Sequence, residues 1–192
     1  MANSFFSMLS RMKHINRWGL MRNTWKESLS EHSFDVASIA YGLAVIGNTR
    51  LGMQYCGERT ALLGLFHDTS EIITGDLPTP VKYHDDEIKR AYKKVEGLAS
   101  RSLLQLLPSD METAYHSLLI PEQADHELWK LVKAADKISA YIKCVEEESA
   151  GNREFVKAKQ TLLETIRSLH CPEAEIFMQE FLPSFEKTLD EQ

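Results

Sequence analysis

The apolar positions of this chain recur mainly at the spacing of an α-helix. The clearest stripe lies between residues 125 and 149 and consists of Leu128, Leu131, Val132, Ala135, Ile138, Ile142 and Val145. A second stripe follows Ser30, a predicted N-cap, ends near Gly47, and consists of Val36, Ile39, Leu43 and Ile46. β-Branched residues are scattered and period-two alternation is brief, so strand signals are weak. The pattern therefore predicts an all-α protein.

Further helices are expected where caps and helix breakers bound shorter apolar patterns. These are residues 3–13, 58–67 with a continuation or restart through Ile73 to Gly75, 85–107, 109–119, 154–169 and 173–189. Residues 76–80 are expected to form a loop, because two prolines in three residues do not propagate a helix. Ser109 or Asp110 is the predicted cap of the helix after Pro108, and Pro183 is expected to bend or split the last helix. The chain, residues 1–192, is thus predicted to be a single compact domain of about seven or eight helices.

Composition narrows the classes of partner. The net charge of −6 is spread along 192 residues without a basic tract, which argues against a nucleic-acid partner. No apolar run approaches the roughly 18 residues of a membrane span, so no membrane partner is expected. Arg11 and Lys13 follow the apolar N-terminal residues, whereas a signal peptide places its positive charge first. We therefore expect a cytoplasmic protein.

Four residues of types that often bind metals, histidine and aspartate, lie at or beside the predicted apolar stripes. They are His32, the adjacent pair His67–Asp68, and Asp136. Two imidazoles and two carboxylates form a nitrogen–oxygen set that suits first-row divalent ions such as Mn²⁺, Co²⁺, Fe²⁺ or Zn²⁺. Such an ion lowers the pKa of bound water from about 16 toward 7 and screens a phosphate's charge. The residues alone therefore indicate phosphate ester hydrolysis.

Each candidate ligand also has a purely structural explanation. His32 alone fits a hydrogen-bonded core histidine, and His67–Asp68 alone is a dipeptide that occurs by chance in many proteins. Asp136 fits a cap of a neighbouring helix or a partner of Lys133 or Lys137. The metal-site hypothesis therefore depends on the four residues occurring together.

Four longer blocks carry a family resemblance. They are INRWGLMRN at 15–23, SEHS at 30–33, LFHDTSEIITGDLPTPVKY at 65–83 and KAADKISAYIKCVEE at 133–147. Together they resemble the HD-domain phosphohydrolase superfamily, in which an H…HD…D series supplies the metal ligands, and within it the bacterial 5′-deoxynucleotidases of the YfbR type. The resemblance implies that His32, His67, Asp68 and Asp136 bind one divalent transition metal. Co²⁺ or Mn²⁺ is expected first, with Zn²⁺, Fe²⁺ or Cu²⁺ as alternatives.

The resemblance also implies a set of substrate-binding and catalytic residues. Those expected around the substrate are Arg17, Trp18, His32, Asp76, Thr79, Pro80, Val81, Lys82 and Asp136, and those expected to be catalytic are Arg17, Glu71 and Asp76. Arginine offers a planar fork suited to phosphate, and Arg22 is a rival for that role. Trp18 is expected either to pack against the sugar or base or to anchor its loop in the core.

The remaining roles concern protons and the sugar. Glu71 lies four residues after His67, so a continuing helix puts the two on one side, where Glu71 would orient the attacking water or accept its proton. Its alternative is a solvated surface residue. Asp76 would protonate the departing 5′-oxygen or position water, or else satisfy backbone donors in its turn. The segment of residues 79–82 would line the nucleoside pocket and discriminate deoxyribose from ribose.

The expected activity is hydrolysis of deoxyribonucleoside 5′-monophosphates to deoxynucleosides and phosphate by attack of metal-bound water. The alternatives are another HD-type nucleotide phosphohydrolase, acting on cyclic nucleotides, alarmones or dNTPs, a non-catalytic metal- or nucleotide-binding module, or a helical interaction bundle. A homodimer is expected from the resemblance. His84, His116 and His126 are the candidates for a second metal, but their spacing is typical of scattered surface residues and favours one metal.

Overall fold

A computed structural model describes residues 3–82 and 85–192, with the backbone alone at residues 79 and 80. Within these residues it contains the helices α1 Phe5–Leu9, α2 Leu29–Arg50, α3 Gly57–Phe66, α4 Glu71–Thr74, α5 Thr79–Lys82, α6 Asp86–Leu104, α7 Ser109–Leu119, α8 His126–Ser149, α9 Val156–Ser168 and α10 Pro172–Glu180. No β-strand occurs in this part of the chain, and the one extended pairing there is an isolated antiparallel bridge between Asn16 and Ser28. The predicted all-α fold is confirmed.

The chain groups into two compact units. The first comprises the described residues of Met1–Met21, Lys26–Ser33 and Phe66–Gln123. Its core includes a set of aromatic rings in edge-to-face contact, in which the Tyr115 ring lies 5.1 Å from that of Phe5 and 5.9 Å from that of Phe66. Leu103 of α6 and Leu118 of α7 are buried with them. This unit carries the His67–Asp68 pair and the first turn of α2.

The second unit comprises Arg22–Trp25, Phe34–Leu65 and Ala124–Gln192. Its central element is α8, on which the predicted stripe residues Leu131, Val132 and Ile138 are buried. Helices α2 and α3 approach closely at Gly64, where a Cβ would lie 3.0 Å from the Cα of Ala37. A larger side chain at this position would push the two helices apart, so glycine is required by their spacing.

The start of α2 differs in detail from the prediction. Ser28, not Ser30, caps the helix: its Oγ accepts a hydrogen bond from the Glu31 backbone N–H at 3.3 Å, and the Glu31 carboxylate accepts from the Ser28 N–H at 2.7 Å. This reciprocal pair is a capping box, which satisfies two backbone donors at once. The sequence from Ser28 to Glu31 contains this capping-box signal, so the predicted N-cap at Ser30 is wrong.

The segment after α3 follows the predicted restart. Helix α3 ends at Phe66, α4 covers Glu71–Thr74, and Gly75 ends it with a φ of 74° that favours glycine. The predicted loop over residues 76–80 is partly wrong, because α5 begins at Thr79. Pro80 is compatible with that helix since the first turn of a helix does not use the missing N–H.

Helices α1 and α10 are shorter than predicted, because a short 3-10 turn follows each of them. Helix α1 continues as a 3-10 turn to His14, and α10 ends at Glu180 before a 3-10 turn over Leu182–Glu186, which confirms the predicted split near Pro183. Pro108, not Ser109 or Asp110, is the N-cap of α7 and supplies no side-chain cap. None of the described helices combines the length and the apolar character that crossing a lipid bilayer requires.

Candidate metal and substrate site

Three of the four predicted metal ligands lie together in the first unit. His32 is fully buried in the first turn of α2, and His67 and Asp68 follow directly on the last residue of α3. The Asp68 Oδ2 atom lies 3.7 Å from His32 Nε2 and 3.1 Å from His67 Nε2. One ligand atom from each of the three side chains lies within 4.8 Å of the other two.

This donor set fits a divalent transition metal. Nitrogen and oxygen ligands bound at about 2.0–2.2 Å from one ion lie no more than about 4.4 Å apart, so small side-chain adjustments bring the three atoms into range. Two imidazoles with a carboxylate match the preference of first-row ions such as Zn²⁺, Co²⁺ and Mn²⁺ and not that of Ca²⁺, which prefers oxygen. The described residues therefore hold a candidate metal site.

Arg17 and Trp18 lie beside this cluster on the loop that precedes α2. The Arg17 Nη1 atom is 3.5 Å from Asp68 Oδ2, and its backbone N–H donates to the Glu27 carbonyl at 2.9 Å. Trp18 has a φ of 58°, a left-handed conformation that is uncommon for a bulky residue. Such a conformation persists when surrounding contacts enforce it, and here the hydrogen bonds to Glu27 do so.

Glu27 is a site residue that the sequence reasoning missed. One of its carboxylate oxygens, Oε2, accepts from Trp18 Nε1–H at 2.9 Å and from Arg17 Nε–H at 3.3 Å. The other, Oε1, lies 3.9 Å from His32 Nδ1, and the side chain is only 9% exposed. The capping box that starts at Ser28 is the sequence signal for this position, because it places Glu27 directly before the N-terminus of α2, next to the loop.

Glu71 is the first residue of α4 and is almost fully buried. Burial, together with the negative charges of Asp68 and Asp76, raises its pKa to about 8, against the opposing effect of Lys82 and Arg17. Among the described residues, its Oε2 atom has no hydrogen-bond partner. A carboxyl group whose pKa lies near neutrality is suited to exchanging a proton with a substrate or with water.

Asp76 follows Gly75 at the end of α4. Burial raises its pKa above the usual range, while the Arg17 charge and a hydrogen bond from the Trp18 backbone N–H act in the other direction. Asp76 is therefore tied to the Arg17–Trp18 loop. A raised pKa is the direction that a proton-donating carboxyl group requires.

The segment of residues 79–82 forms α5, and Lys82 at its end is partly buried. The Lys82 ammonium binds Glu96 Oε1 of α6 at 2.8 Å and lies 3.9 Å from Glu71 Oε1. Burial disfavours the ammonium, but the hydrogen bond and charge of Glu96 raise the pKa of Lys82 above its usual value. Val81 is exposed. Lys82 therefore remains a cation next to the carboxyl group of Glu71.

Asp136, the fourth predicted ligand, pairs with its chain neighbour Lys137. It lies on α8 in the second unit, and its carboxylate accepts a hydrogen bond from Lys137 at 2.9 Å. This contact is one of the alternatives that the sequence left open, and the metal-binding role of Asp136 stays a prediction. Arg22, the rival for the phosphate role, is bound to Glu154 at 2.6 Å.

The remaining candidate histidines lie at different places. His116 and His126 are at the surface and pair with Glu122 and Glu127, respectively. His84 lies outside the described residues.

The helical fold of this chain is that of the HD-domain phosphohydrolases. A crystal structure of an HD-domain phosphohydrolase from Listeria innocua is 25% identical, with a TM-score of 0.79 over 95% of this chain and 88% of that chain. The fold is shared with the HD phosphohydrolase of cyanophage S-2L, whose structure was determined with dA and one catalytic Zn²⁺ ion. The two chains are 20% identical, with a TM-score of 0.67 over 95% of this chain and 96% of that one.

Sequence comparison defines the family more narrowly. The model of the YfbR-like 5′-deoxynucleotidases matches residues 4–185. A 5′-deoxynucleotidase of Vibrio cholerae is 51% identical over 97% of this chain and 96% of its own, and one of Photorhabdus temperata is 48% identical over 97% and 95%. The chain belongs to the YfbR-like 5′-deoxynucleotidase family. The predicted family and enzyme class are confirmed, while the roles of individual residues stay predictions.

Proposed function

We propose that this chain hydrolyses deoxyribonucleoside 5′-monophosphates to deoxynucleosides and inorganic phosphate. The observation that carries the proposal is the grouping of His32, His67 and Asp68 within 4.8 Å, with Arg17 3.5 Å from Asp68. A metal-binding donor set beside a guanidinium is suited to a phosphate ester. The 51% identity to a 5′-deoxynucleotidase over nearly the whole chain supports the choice of substrate.

The proposed metal site consists of His32, His67 and Asp68, with Asp136 as the fourth ligand by resemblance. A bound divalent ion would supply positive charge at the phosphate and acidify a water molecule. Co²⁺ or Mn²⁺ is proposed, with Zn²⁺, Fe²⁺ or Cu²⁺ as alternatives that the same donors accept. The catalytic Zn²⁺ ion of the cyanophage HD phosphohydrolase supports a single transition metal.

Phosphate binding and proton transfer are assigned to different residues of the chain. Arg17 binds the phosphoryl oxygens with its guanidinium, which Glu27 and Asp68 hold in place. Glu71 takes a proton from the water that attacks phosphorus, and Asp76 gives a proton to the 5′-oxygen as the P–O bond breaks. The pKa of Glu71, about 8, fits a group that exchanges a proton near neutral pH, and burial raises the pKa of Asp76, which is the direction that a proton donor requires.

Selection of the deoxyribonucleoside is assigned to Trp18 and the segment of residues 79–82. The indole N–H of Trp18 donates to Glu27, which fixes the ring beside Arg17, and we assign this ring to packing against the sugar or base. A close apolar wall at the 2′ position would leave a ribose hydroxyl buried without a partner, which disfavours ribonucleotides. His32 and Asp136 would contact the substrate as well as the metal.

Three further properties are part of the proposal. The chain would act as a homodimer, as its family resemblance implies, and the exposed rings of Phe181 and Phe185 offer an apolar surface near the C-terminus. It would act in the cytoplasm. Residues 1–192 would function as one domain, since one family model spans residues of both compact units.

The test is analysis of the products released from a panel of deoxyribo- and ribonucleoside monophosphates and dNTPs. The protein is chelated and then assayed with added Co²⁺, Mn²⁺ or Zn²⁺. We expect phosphate from the deoxy substrates and loss of both activity and metal in His67→Ala and Asp136→Ala, with helical circular dichroism retained. His116→Ala, a surface histidine, is the matched control. Release of pyrophosphate or tripolyphosphate from dNTPs instead would indicate another HD-type hydrolase, and no release with any metal would indicate a binding module.

A further inference from the structure

Helix α6 contacts both ends of the segment that carries Asp76 and residues 79–82. Tyr92 and Glu96 lie four residues apart and therefore share one face of α6. The Tyr92 hydroxyl is within hydrogen-bond distance of Thr74 Oγ1, at 3.2 Å, and of the Gly75 carbonyl, at 3.5 Å. These contacts attach the end of α4, immediately before Asp76, to α6.

The same two side chains hold the other end of the segment. Glu96 Oε1 lies 2.8 Å from Lys82 Nζ, and the Tyr92 ring lies 4.8 Å from the same nitrogen. A lysine ammonium stands on a flexible four-carbon stem, so without such contacts it samples many rotamers. Glu96 and the Tyr92 ring together select the rotamer in which the ammonium is 3.9 Å from Glu71.

The ion pair between Lys82 and Glu96 is partly exposed, with side chains that are 24% and 28% accessible. Pairs of this kind contribute little to the stability of a fold. The pair is therefore better explained by what it does to the geometry of Lys82 than by what it adds to folding.

We propose that Tyr92 and Glu96 are positioning residues that fix the segment from Asp76 to Lys82 against the bound nucleotide. The inference rests on the proposed function, because that function is what makes Asp76 and Lys82 substrate contacts. Tyr92 fixes the start of the segment through Thr74 and Gly75, and Glu96 fixes its end through Lys82. Neither residue touches the reacting atoms.

The experiment uses Glu96→Gln and Tyr92→Phe, assayed with dAMP and the best metal. Glu96→Gln is expected to raise KM about tenfold while kcat changes less than about threefold, since a loosened binding contact weakens ground and transition states alike. Hydrogen exchange of peptides covering residues 74–82 is expected to accelerate in both variants. The midpoint of thermal unfolding is expected to move by less than about 2 °C. Glu87→Gln, with the same charge change on the exposed first turn of α6, is the matched control.

A double-mutant cycle tests whether Glu96 acts through Lys82. Lys82→Ala is expected to raise KM, and Glu96→Gln added to it is expected to cause no further rise. Additive effects, or unchanged KM and exchange in Glu96→Gln, would overturn this inference while leaving the proposed function intact. Absence of phosphate release by the unsubstituted protein from every deoxyribonucleoside monophosphate would overturn both.

Discussion

At the scale of single residues, Glu27 connects three groups of the proposed site. Its Oε2 atom accepts hydrogen bonds from Arg17 and Trp18. Its Oε1 atom lies 3.9 Å from Nδ1 of His32, a proposed metal ligand. A carboxylate next to a ligating histidine favours the ring orientation that the metal needs. One buried side chain thus couples the proposed phosphate contact, the proposed nucleoside contact and a proposed metal ligand.

Substitution of Glu27 is expected to impair catalysis more than folding. Glu27→Ala removes the acceptor for both Arg17 and Trp18, so we expect kcat/KM for dAMP to fall about a hundredfold, as is usual for misplaced binding groups. Glu27→Gln keeps one oxygen acceptor and is expected to give an intermediate loss. The measurement is steady-state kinetics with metal content determined on the same samples.

The control for this series is again Glu87→Gln, which removes an exposed carboxylate from the same compact unit. Equal kcat/KM values for Glu27→Ala and Glu87→Gln would contradict the positioning role of Glu27. A Glu27→Ala protein that lacks helical circular dichroism would show that Glu27 is instead required for the fold, and the intermediate Glu27→Gln variant then separates the two effects.

The linear motifs revealed the ligand candidates but not the residues that position them. His67 and Asp68 are adjacent in sequence, and the blocks around them carry the resemblance. Glu27, Tyr92 and Glu96 contact the proposed site residues across 9 to 18 positions of sequence. Only Glu27 has a signal nearby, the capping box that starts at Ser28, and the surroundings of Tyr92 and Glu96 do not distinguish them from surface residues. Such contacts depend on the path of the chain, which periodicity does not determine.

At the scale of elements, α8 contains a buried ion pair within a mainly apolar helix. The Lys143 ammonium and the Glu147 carboxylate are one turn apart and buried, and Lys143 also donates to the Trp25 carbonyl at 2.8 Å. Glu147 accepts from the Thr24 backbone N–H at 2.9 Å and from Asn152 at 2.7 Å. The pair therefore fixes the stretch of residues 22–25 to α8.

The Glu147 carboxylate is expected to make stability depend on acid pH. Burial opposes its charge, but the hydrogen bonds from Lys143, Thr24 and Asn152 prevail and lower its pKa from 4.5 to about 2. Because the folded-state pKa is the lower one, the stabilisation is complete above about pH 4.5 and is lost as the pH falls from there toward 2. Glu147→Gln leaves the buried Lys143 without its counter-ion, so we expect a loss of about 3 kcal/mol at pH 7.

Urea unfolding at pH 7, 5, 4 and 3 checks this expectation. The stability difference between the unsubstituted protein and Glu147→Gln should be constant from pH 7 to 5 and shrink below pH 4.5. Glu164→Gln, an exposed glutamate on α9, should show no comparable difference. A difference that does not change with pH would mean that Glu147 acts through packing and not through its charge.

The element scale also shows what periodicity could predict. The stripe on α8 specified a helix whose bounds agree within a residue, because seven apolar positions define one face. The predicted caps of α2 and α7 are wrong, and the predicted loop over residues 76–80 includes the first two residues of α5. Those features depend on one or two local hydrogen bonds, which apolar patterning does not register.

At the scale of the whole molecule, a bound metal should stabilise the folded chain, because the proposed ligands come from residues far apart in sequence and converge only on folding. A ligand that binds the folded state alone adds about 2.7 kcal/mol when it is present at a hundred times its dissociation constant. For a chain of this length that corresponds to a rise of about 5–10 °C in the midpoint of thermal unfolding.

We expect this rise when Co²⁺ or Mn²⁺ is added to chelated protein, a much smaller one in Asp136→Ala, and an undiminished one in His116→Ala. Ca²⁺, which prefers oxygen ligands, should produce little shift in any of them. A full shift in Asp136→Ala would remove Asp136 from the ligand set while leaving His32, His67 and Asp68 as the site.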